Sequence, residues 1–172
     1  FGGISIETLD ASDHGIVGII NDLEAGGDDT LHMAWLDPWG SSGSIGQTTY
    51  MSDVDMDAEW ALIEPLAVSI DVLADDTPCV AISSYVGQDI WYSCRDSEPY
   101  WMSSTEEVLT EGYTLYVGLI HLSDGTPYIV SFDALAGAVS VSVRHGGTWS
   151  TEVIDTMDAT GFDPHIAVDG DD

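Results

Sequence analysis

Residues 123–155, SDGTPYIVSFDALAGAVSVSVRHGGTWSTEVID, decide the fold that the sequence predicts. They contain three predicted strands, at 128–133, 138–144 and 149–155, with turns at 134–137 and at the His-Gly-Gly-Thr of 145–148. In the middle strand, valine at 139, 141 and 143 alternates with serine at 140 and 142, which is typical of a sheet whose two faces differ. The rest of the chain can be aligned to this stretch as earlier or later copies of one four-stranded unit.

The copies are spaced regularly. Thr30, Thr77 and Thr126 fall at the same predicted turn, at intervals of 47 and 49 residues. The predicted fourth strand of each copy opens with a tryptophan, at Trp60, Trp101 and Trp149. The predicted units are 16–64, 67–109 and 114–155, with partial units at 1–10 and 162–172. A four-stranded unit at this spacing is typical of β-propeller blades.

The predicted fold class is therefore all-β, an array of four-stranded antiparallel blades with about three and a half blades in one propeller segment, 1–172. Almost no helix is expected, because no long segment has a helical apolar stripe. Propellers close with about four to eight blades, so we expect either a piece of a longer propeller or half of an assembly closed by another copy. A β-sandwich of similar strand count is the alternative fold.

The charge of the chain restricts its partners. It has 31 Asp and Glu residues against two Arg, Arg95 and Arg144, a formal net charge of −29. Nucleic acid and anionic membranes are excluded as partners because they are also negative, whereas cations are favoured. The composition is typical of a salt-adapted, halophilic organism. A calcium-rich exterior, or an acidic surface with no special cause, are the alternatives. No run of 18 apolar residues is present, so no membrane insertion is expected.

One loop has the residue spacing of a calcium site. Acidic side chains at alternate positions, followed by later carboxylates, supply the oxygen ligands that Ca²⁺ prefers. They are Asp53, Asp55, Asp57, Glu59 and Glu64. A helix-loop-helix calcium site is not expected, since Ala58 replaces the turn glycine and Pro65 disfavours a following helix. The alternative is a solvated acidic hairpin. Asp28-Asp29 and the Asp-Gly-Asp-Asp of 169–172 are weaker candidates.

Cys79 and Cys94 lie symmetrically about the predicted Val86-Gly87 turn, which places them opposite each other on neighbouring strands. A disulfide fits such a pair when it is not hydrogen-bonded. The alternative is two reduced core residues. The five histidines show no spacing typical of ligands, so no zinc site is expected.

Three short motifs resemble a known repeat. The first is Pro-x-(Ile/Val)-(Ala/Val), which occurs at 127–130 and again at 78–81. The second is the aromatic-Asp pair that ends a strand, Phe132-Asp133. The third is the Gly-Gly-x-Trp-x-x-Glu-x-x-Asp of 146–155. They resemble the repeat of bacterial and archaeal extracellular β-propellers related to sialidase-like Asp-box propellers. Residues 142–149 are similar to the Asp-box pattern Ser-x-Asp-x-Gly-x-Thr-Trp, but Arg144 stands at the named aspartate. The resemblance implies an extracellular or cell-surface location and a motif that shapes a turn without catalysing.

The expected function is a non-enzymatic recognition, adhesion or surface-structural module that binds a glycan or a surface protein through loops at the blade edges. Trp39, in a Pro-Trp-Gly-Ser loop without a counterpart in the other units, is the predicted exposed ligand-binding residue. Weaker platform candidates are Trp35, Tyr50, Trp91 and Tyr92. The alternatives are part of a propeller glycosidase, for which no catalytic residues are identified in this chain, and a filament subunit joined by strand addition.

Overall fold

The computed structural model describes residues 21–37, 47–52, 59–60, 65–84, 89–95, 105–109, 112–156 and 164–169. These residues form strands, turns and irregular segments, and none of them is helical. Within them, no helix has the length and hydropathy to cross a membrane. The strands are β1 (Asn21–Ala25), β2 (Leu31–Asp37), β3 (Gln47–Ser52), β4 (Glu59–Trp60), β5 (Pro65–Val72), β6 (Pro78–Ser84), β7 (Ile90–Cys94), β8 (Glu106–Leu109), β9 (Thr114–His121), β10 (Pro127–Asp133), β11 (Ala138–His145) and β12 (Thr148–Thr156).

The strands form three four-stranded antiparallel sheets in chain order, β1 to β4, β5 to β8 and β9 to β12. Each sheet is a meander, so every strand pairs with the next along the chain. The first strands lie side by side, with β5 packed against both β1 and β9. This is the predicted propeller-type array of blades, in which neighbouring blades bury each other's faces. The sheets span 21–60, 65–109 and 114–156, beside predicted units of 16–64, 67–109 and 114–155.

The boundaries differ from the prediction at two strands. The apolar stretch Ile-Val-Gly-Ile-Ile-Asn-Asp of 16–22 predicts a short first strand and a loop at 23–29. In the structure, β1 extends to Ala25, which pairs with Leu31 across a shorter turn. The partial fourth unit was expected to begin with a strand near Phe162, whereas residues 164–169 are irregular. They pack instead on Gly118, where an added Cβ would lie 3.0 Å from Val130 Cγ1 and 3.5 Å from Pro164 O.

The turn between the first two strands is the same in all three sheets, which confirms the threonine register. The backbone N–H of Gly26, Leu73 and Leu122 donates to the carbonyl oxygen of Thr30, Thr77 and Thr126, respectively. An aspartate two residues before each threonine accepts a hydrogen bond from the threonine N–H, at 2.9, 3.2 and 2.9 Å. The residue between them has a positive φ: Asp29, Asp76 and Gly125. This is the three-residue hairpin with a left-handed bulge residue.

A hydrophobic core fills the space between the second and third sheets. Every residue of β6 is buried. Its small apolar side chains meet β7 and β9 in a cluster that includes Ala81, Ile90, Leu119 and Ile129. Trp149 packs against this cluster, as expected for a tryptophan between blades. Trp101 lies outside the described residues, and only the backbone of Trp60 is described.

The third sheet has the alternating faces that the sequence predicts. In β11 the serines are buried, with Ser140 8% and Ser142 0% exposed, whereas the valines are half-buried. Small side chains on the buried face let a second layer approach closely, and the Ser142 hydroxyl is satisfied by Thr151 Oγ1 at 2.7 Å. The β11–β12 turn consists of Gly146 and Gly147, both with positive φ, as two-residue hairpin turns require. The Asp-box-like stretch 142–149 therefore forms this hairpin.

Candidate functional site

A cleft of about 360 Å³ runs along the first strands of the three sheets. Asp22 and Glu24 of β1 line it, as does the 67–71 stretch of β5. The opposite side is formed by 116–120 of β9 and by 164–166. The cleft combines carboxylates, the Ser69 hydroxyl and Tyr116 with apolar residues of three of the segments that line it, such as Val68, Ile120 and Ile166. Because it is assembled from three sheets, its geometry depends on how neighbouring blades are held together.

Asp22 holds the first sheet to the second. Its Oδ2 accepts hydrogen bonds from the Ser69 hydroxyl at 2.7 Å and from the Ile70 N–H at 3.0 Å. Ser69 repeats the contact one sheet further, because its hydroxyl oxygen accepts from the Leu119 N–H at 3.1 Å. Asp22 and Ser69 each lie four residues before the repeated turn, so they occupy equivalent positions. A polar side chain at this position thus links each sheet to the next.

Asp71 makes a second link and orders a line of polar groups. Its Oδ2 accepts from the His121 N–H at 2.6 Å and lies 2.7 Å from His121 Nδ1. On its other side, His121 Nε2 lies 2.9 Å from the Tyr92 hydroxyl, which is 2.8 Å from Cys94 Sγ. Burial raises the pKa of the Tyr92 hydroxyl, which therefore keeps its proton. The line leads from the cleft wall to the buried Cys79–Cys94 disulfide.

The disulfide agrees with the symmetry seen in the sequence. Cys79 pairs with Cys94 in the β6–β7 register, and their Cα atoms are 4.0 Å apart. This separation is close to the roughly 4.5 Å of a pair that is not hydrogen-bonded. Bonded sulfur atoms are poor metal ligands, so in this state the pair contributes only a covalent link between β6 and β7.

Glu24 is a cleft carboxylate whose pKa is shifted by its surroundings. Partial desolvation and the negative charge of Asp71 raise its pKa. Its side chain is exposed, so it is available to a ligand. Glu24 and Asp71 are equivalent in the repeat, each lying two residues before the turn. A raised pKa beside a second carboxylate is the kind of asymmetry that binding and catalytic sites display.

Arg144, which departs from the Asp-box pattern, has a partner in the second sheet. Its Nε and Nη2 donate to Glu106 at 2.7 and 2.8 Å, and Trp149 Nε1 donates to the same carboxylate at 3.0 Å. The Trp149 ring meets the Tyr92 ring edge-on, with centroids 5.3 Å apart. Arg144 therefore fastens the second sheet to the third, and its guanidinium is occupied by Glu106.

The predicted site residues fall mostly outside the described residues. Asp53, Asp55, Asp57, Glu64 and Trp39 are all in this group, and Glu59 is described only as a backbone pair of Thr49 in β4. Calcium binding and ligand binding by Trp39 therefore stay predictions. One weaker candidate was wrong: Tyr92 is 7% exposed and lies in the core between sheets, so it offers no platform to a sugar. Trp91 is half-buried.

The cleft residues were not identified from the sequence. Asp22, Glu24 and Asp71 are three of 31 acidic residues, and nothing local distinguishes them. One signal was available: Glu24 and Asp71 are both two residues before the repeated turn. In a blade array, equivalent positions on the first strands lie side by side, so acidic residues there are brought together.

Of the comparisons with known proteins, the one with solved structures found matches. No protein-family model matches the sequence, and no curated protein matches it significantly. Among solved structures, 18 chains match. One is a fucose lectin from Kordia zhangzhouensis in complex with methyl-fucoside, 10% identical, with a TM-score of 0.47 over 80% of this chain and 99% of the lectin chain. At this level of similarity, nothing about the lectin's ligand transfers to this chain.

Proposed function

We propose that this chain is a non-enzymatic, extracellular recognition module that binds neutral or amino sugars in the cleft along β1, β5 and β9. The observation that carries the proposal is the composition of this cleft, in which Asp22, Glu24 and Asp71 lie near Tyr116. Carboxylate oxygens accept hydrogen bonds from sugar hydroxyls, and an aromatic ring offers an apolar face to the sugar C–H groups. Few polar groups around a concave surface are typical of small-ligand sites.

Charge narrows the class of sugar. A formal net charge of −29 repels anionic glycans. Arg144, the arginine whose contacts the structure gives, is already paired with Glu106 through two hydrogen bonds. Binding of a sugar carboxylate, as in sialic acids, is therefore disfavoured. The negative charge of the chain does not repel neutral sugars, and it attracts the protonated amino group of an amino sugar.

A glycan array probed with the full chain tests the proposal, and calorimetry on any sugar that binds measures the affinity. Glu24→Gln removes a charged acceptor in the cleft, so we expect about a tenfold or greater loss of affinity. The matched control is Glu152→Gln, on the exposed β12 strand away from the cleft, which should bind as the unaltered chain does. An array without any bound sugar, or equal affinities for the two variants, would contradict the proposal.

A propeller glycosidase is the second candidate, and the raised pKa of Glu24 beside Asp71 is the observation that favours it. Glycosidases pair a protonated carboxylic acid with an ionised carboxylate. Asp71 Oδ2 is, however, already engaged by two groups of His121. Incubation with chromogenic aryl glycosides decides between the two: turnover that Glu24→Gln abolishes supports an enzyme, and binding without turnover supports the recognition module.

A filament subunit is the third candidate. β12 pairs with β11 on one side, and two of its apolar side chains, Val153 and Ile154, are 55% and 58% exposed. An edge strand of this kind can add a strand from another copy. Light scattering and electron microscopy test this idea, and a monodisperse monomer at high protein concentration would count against it.

Calcium stabilisation by Asp53, Asp55, Asp57, Glu59 and Glu64 is proposed from the sequence pattern alone. Titration of the chelator-treated chain with Ca²⁺ should give a saturable site that Asp55→Asn weakens. The control is Asp75→Asn, which changes the same charge in the β5–β6 turn. If both variants bind Ca²⁺ equally, or if the binding is unsaturable, the loop is only an acidic hairpin.

A further inference from the structure

Cys79, Cys94 and His121 meet between the second and third sheets. The two sulfur atoms and a ring nitrogen of His121 all lie within 4.8 Å of one another. Cys79 is fully buried, and the His121 side chain is 3% exposed. The three residues come from β6, β7 and β9, which are rigid elements of the core. Such a group is held in place by the fold and does not depend on a loop.

The contacts of His121 Nδ1 fix the direction in which the second ring nitrogen, Nε2, points. Asp71 holds Nδ1 at 2.7 Å and also accepts the backbone N–H of His121. Nε2 is therefore the ring nitrogen that faces Tyr92, whose hydroxyl also contacts Cys94 Sγ. A carboxylate on one imidazole nitrogen is the usual second contact of a metal-binding histidine, because it fixes the tautomer and raises the basicity of the other nitrogen.

Tyr92 fills the space beside these atoms. Its hydroxyl lies 2.8 Å from Cys94 Sγ and 2.9 Å from His121 Nε2. A sulfur atom in a disulfide carries no proton, so the Tyr92 hydroxyl must be the donor in its contact with Cys94. One hydroxyl proton can serve only one of the two contacts at a time. The polar group beside the sulfur atoms is thus positioned for more than packing.

We propose that Cys79, Cys94 and His121 bind Zn²⁺ when the disulfide is reduced. Two thiolates and an imidazole are ligands that Zn²⁺ prefers, and a tetrahedral site leaves the fourth position for water or the Tyr92 hydroxyl. Zn–S and Zn–N bonds of about 2.3 and 2.0–2.1 Å require the two sulfur atoms to separate after reduction. Asp71, which holds His121 Nδ1, also lines the cleft and adds a negative charge beside the site.

Two reactions lead to the metal site: reduction of the disulfide and binding of Zn²⁺ by the thiols. The disulfide takes up two electrons and two protons to give two thiols, and a phosphine reductant supplies the electrons while it is oxidised to the phosphine oxide with an oxygen atom from water. Zn²⁺ then displaces the two thiol protons to the buffer and binds the thiolates. A protein dithiol would supply the same two electrons and become a disulfide. The chain is therefore expected to exist in two forms, oxidised with a disulfide and reduced with a metal.

Cobalt(II) is the probe, because thiolate ligands give it a charge-transfer absorption and tetrahedral geometry gives it strong visible bands. The full chain is reduced with a phosphine, its two thiols are counted, and Co²⁺ is added with excess Mg²⁺ to occupy surface carboxylates. We expect one Co²⁺ per chain, displaced by one Zn²⁺, and no such absorption from the oxidised chain. Absence of the charge-transfer band in the reduced chain would overturn the proposal.

Variants separate the site from adventitious binding. His121→Ala should lose the tetrahedral bands and bind far more weakly, and Asp71→Asn should bind about 10–100-fold more weakly. His145→Ala, at an exposed position in the β11–β12 hairpin, is the matched control and should not change binding. Unchanged spectra and affinity in His121→Ala would refute the site. If the chain unfolds when it is reduced, near-ultraviolet circular dichroism detects the loss of native structure. Recovery of the native signal when Zn²⁺ is added then supports the proposal, and no recovery contradicts it.

Discussion

Single polar side chains carry much of the attachment between the sheets. Asp22, Ser69 and Asp71 each accept a backbone N–H from the neighbouring sheet. A hydrogen bond to a charged group contributes about 1.5–3 kcal/mol, and a backbone N–H left without its acceptor in a buried place costs about as much. Of the 31 acidic residues of the chain, Asp22 and Asp71 thus act as structural acceptors between sheets.

Asp71→Asn should lower the free energy of unfolding by about 1–3 kcal/mol, because the neutral amide replaces a charged acceptor that serves two groups of His121. Urea unfolding followed by tryptophan fluorescence measures the change without adding salt. Asp75→Asn is the control, since Asp75 accepts from the Thr77 N–H within its own turn and Asn can replace it there. Equal stability of the two variants would mean that Asp71 does not link the sheets.

Glu24→Gln should raise the free energy of unfolding at pH 7. Desolvation and Asp71 raise the pKa of Glu24 in the folded chain, so the ionised form destabilises that state. The penalty is fully present above the raised pKa and disappears as the pH falls below the ordinary glutamate pKa of about 4.3. The gain from Glu24→Gln should vanish over the same range, which urea unfolding at several pH values measures.

The pKa of Asp124 is shifted in the opposite direction to that of Glu24, so Asp124 serves as a comparison. Hydrogen bonds from the Thr126 hydroxyl and backbone N–H lower the pKa of Asp124, so its ionised form favours the folded chain. That contribution is present above the ordinary aspartate pKa and is lost as the pH falls through the lowered value. Asp124→Ala should therefore reduce stability at neutral pH, whereas Glu24→Gln should increase it. A gain in stability from Asp124→Ala would contradict the assignment for Asp124, and a loss from Glu24→Gln would contradict that for Glu24.

At the scale of turns, the three copies of one hairpin use different residues at the same left-handed position. Gly125 adopts this conformation freely, whereas Asp29 and Asp76 have φ values of 69° and 65°. A left-handed residue other than glycine costs energy, less so for Asp and Asn than for other side chains. Asp76 offsets the cost because its Oδ1 accepts from the Gly27 N–H at 2.6 Å and the Asp28 N–H at 3.3 Å, which docks the first turn onto the second.

Replacing these two residues by glycine should have opposite effects. Asp29→Gly relieves the left-handed strain and should stabilise the chain by about 0.5–1 kcal/mol. Asp76→Gly relieves the same strain but removes the acceptor of Gly27 and Asp28, so we expect a net loss of about 1 kcal/mol. Thermal unfolding of the two variants measures both. A gain in stability from Asp76→Gly would show that the contact between the turns contributes nothing.

The elements were predictable where their signals are local. The Gly146-Gly147 turn, the alternation in β11 and the Cys79–Cys94 register follow from residues near each other in sequence, and the structure has all three. The prediction placed the end of β1 too early, because it assigned residues 23–25 to the loop, whereas they pair with β2 and the turn begins at Gly26. Contacts between sheets join residues about 48 positions apart, and no local pattern identifies which acidic residue makes them.

The disulfide links β6 and β7 within one sheet and closes a short segment of chain, since the cysteines are 15 residues apart. Loop-closure arguments give about 3 kcal/mol for a loop of this length. Cys79→Ala combined with Cys94→Ala should lower the free energy of unfolding by this order. Adding a phosphine should then destabilise the unaltered chain but not the double variant. A chain whose stability is insensitive to reduction would show that β6 and β7 do not need the covalent link.

For the whole molecule, the fold could be predicted from what the copies share, whereas the cleft depends on residues that differ between them. A periodic sequence indicates blades because each copy repeats the same apolar pattern, and three four-stranded sheets result. The cleft is a property of neighbouring blades together: Asp22, Asp71 and Tyr116 come from three different sheets. Its composition depends on which residues differ between copies. Differences at equivalent positions, such as Asp22 against Ser69, are therefore the part of the sequence most informative about binding.

Salt should control the stability of the whole chain. With 31 acidic and two basic residues, repulsion acts over about 10 Å at 0.1 M salt but only about 3 Å at 1 M. We expect the melting temperature, followed by circular dichroism, to rise steeply between 0.1 and about 1 M KCl as this repulsion is screened. A neutral osmolyte at matched osmotic strength is the control, because it leaves the charges unscreened. A melting temperature that is flat in KCl, or that rises equally with the osmolyte, would mean that charge repulsion does not limit this fold.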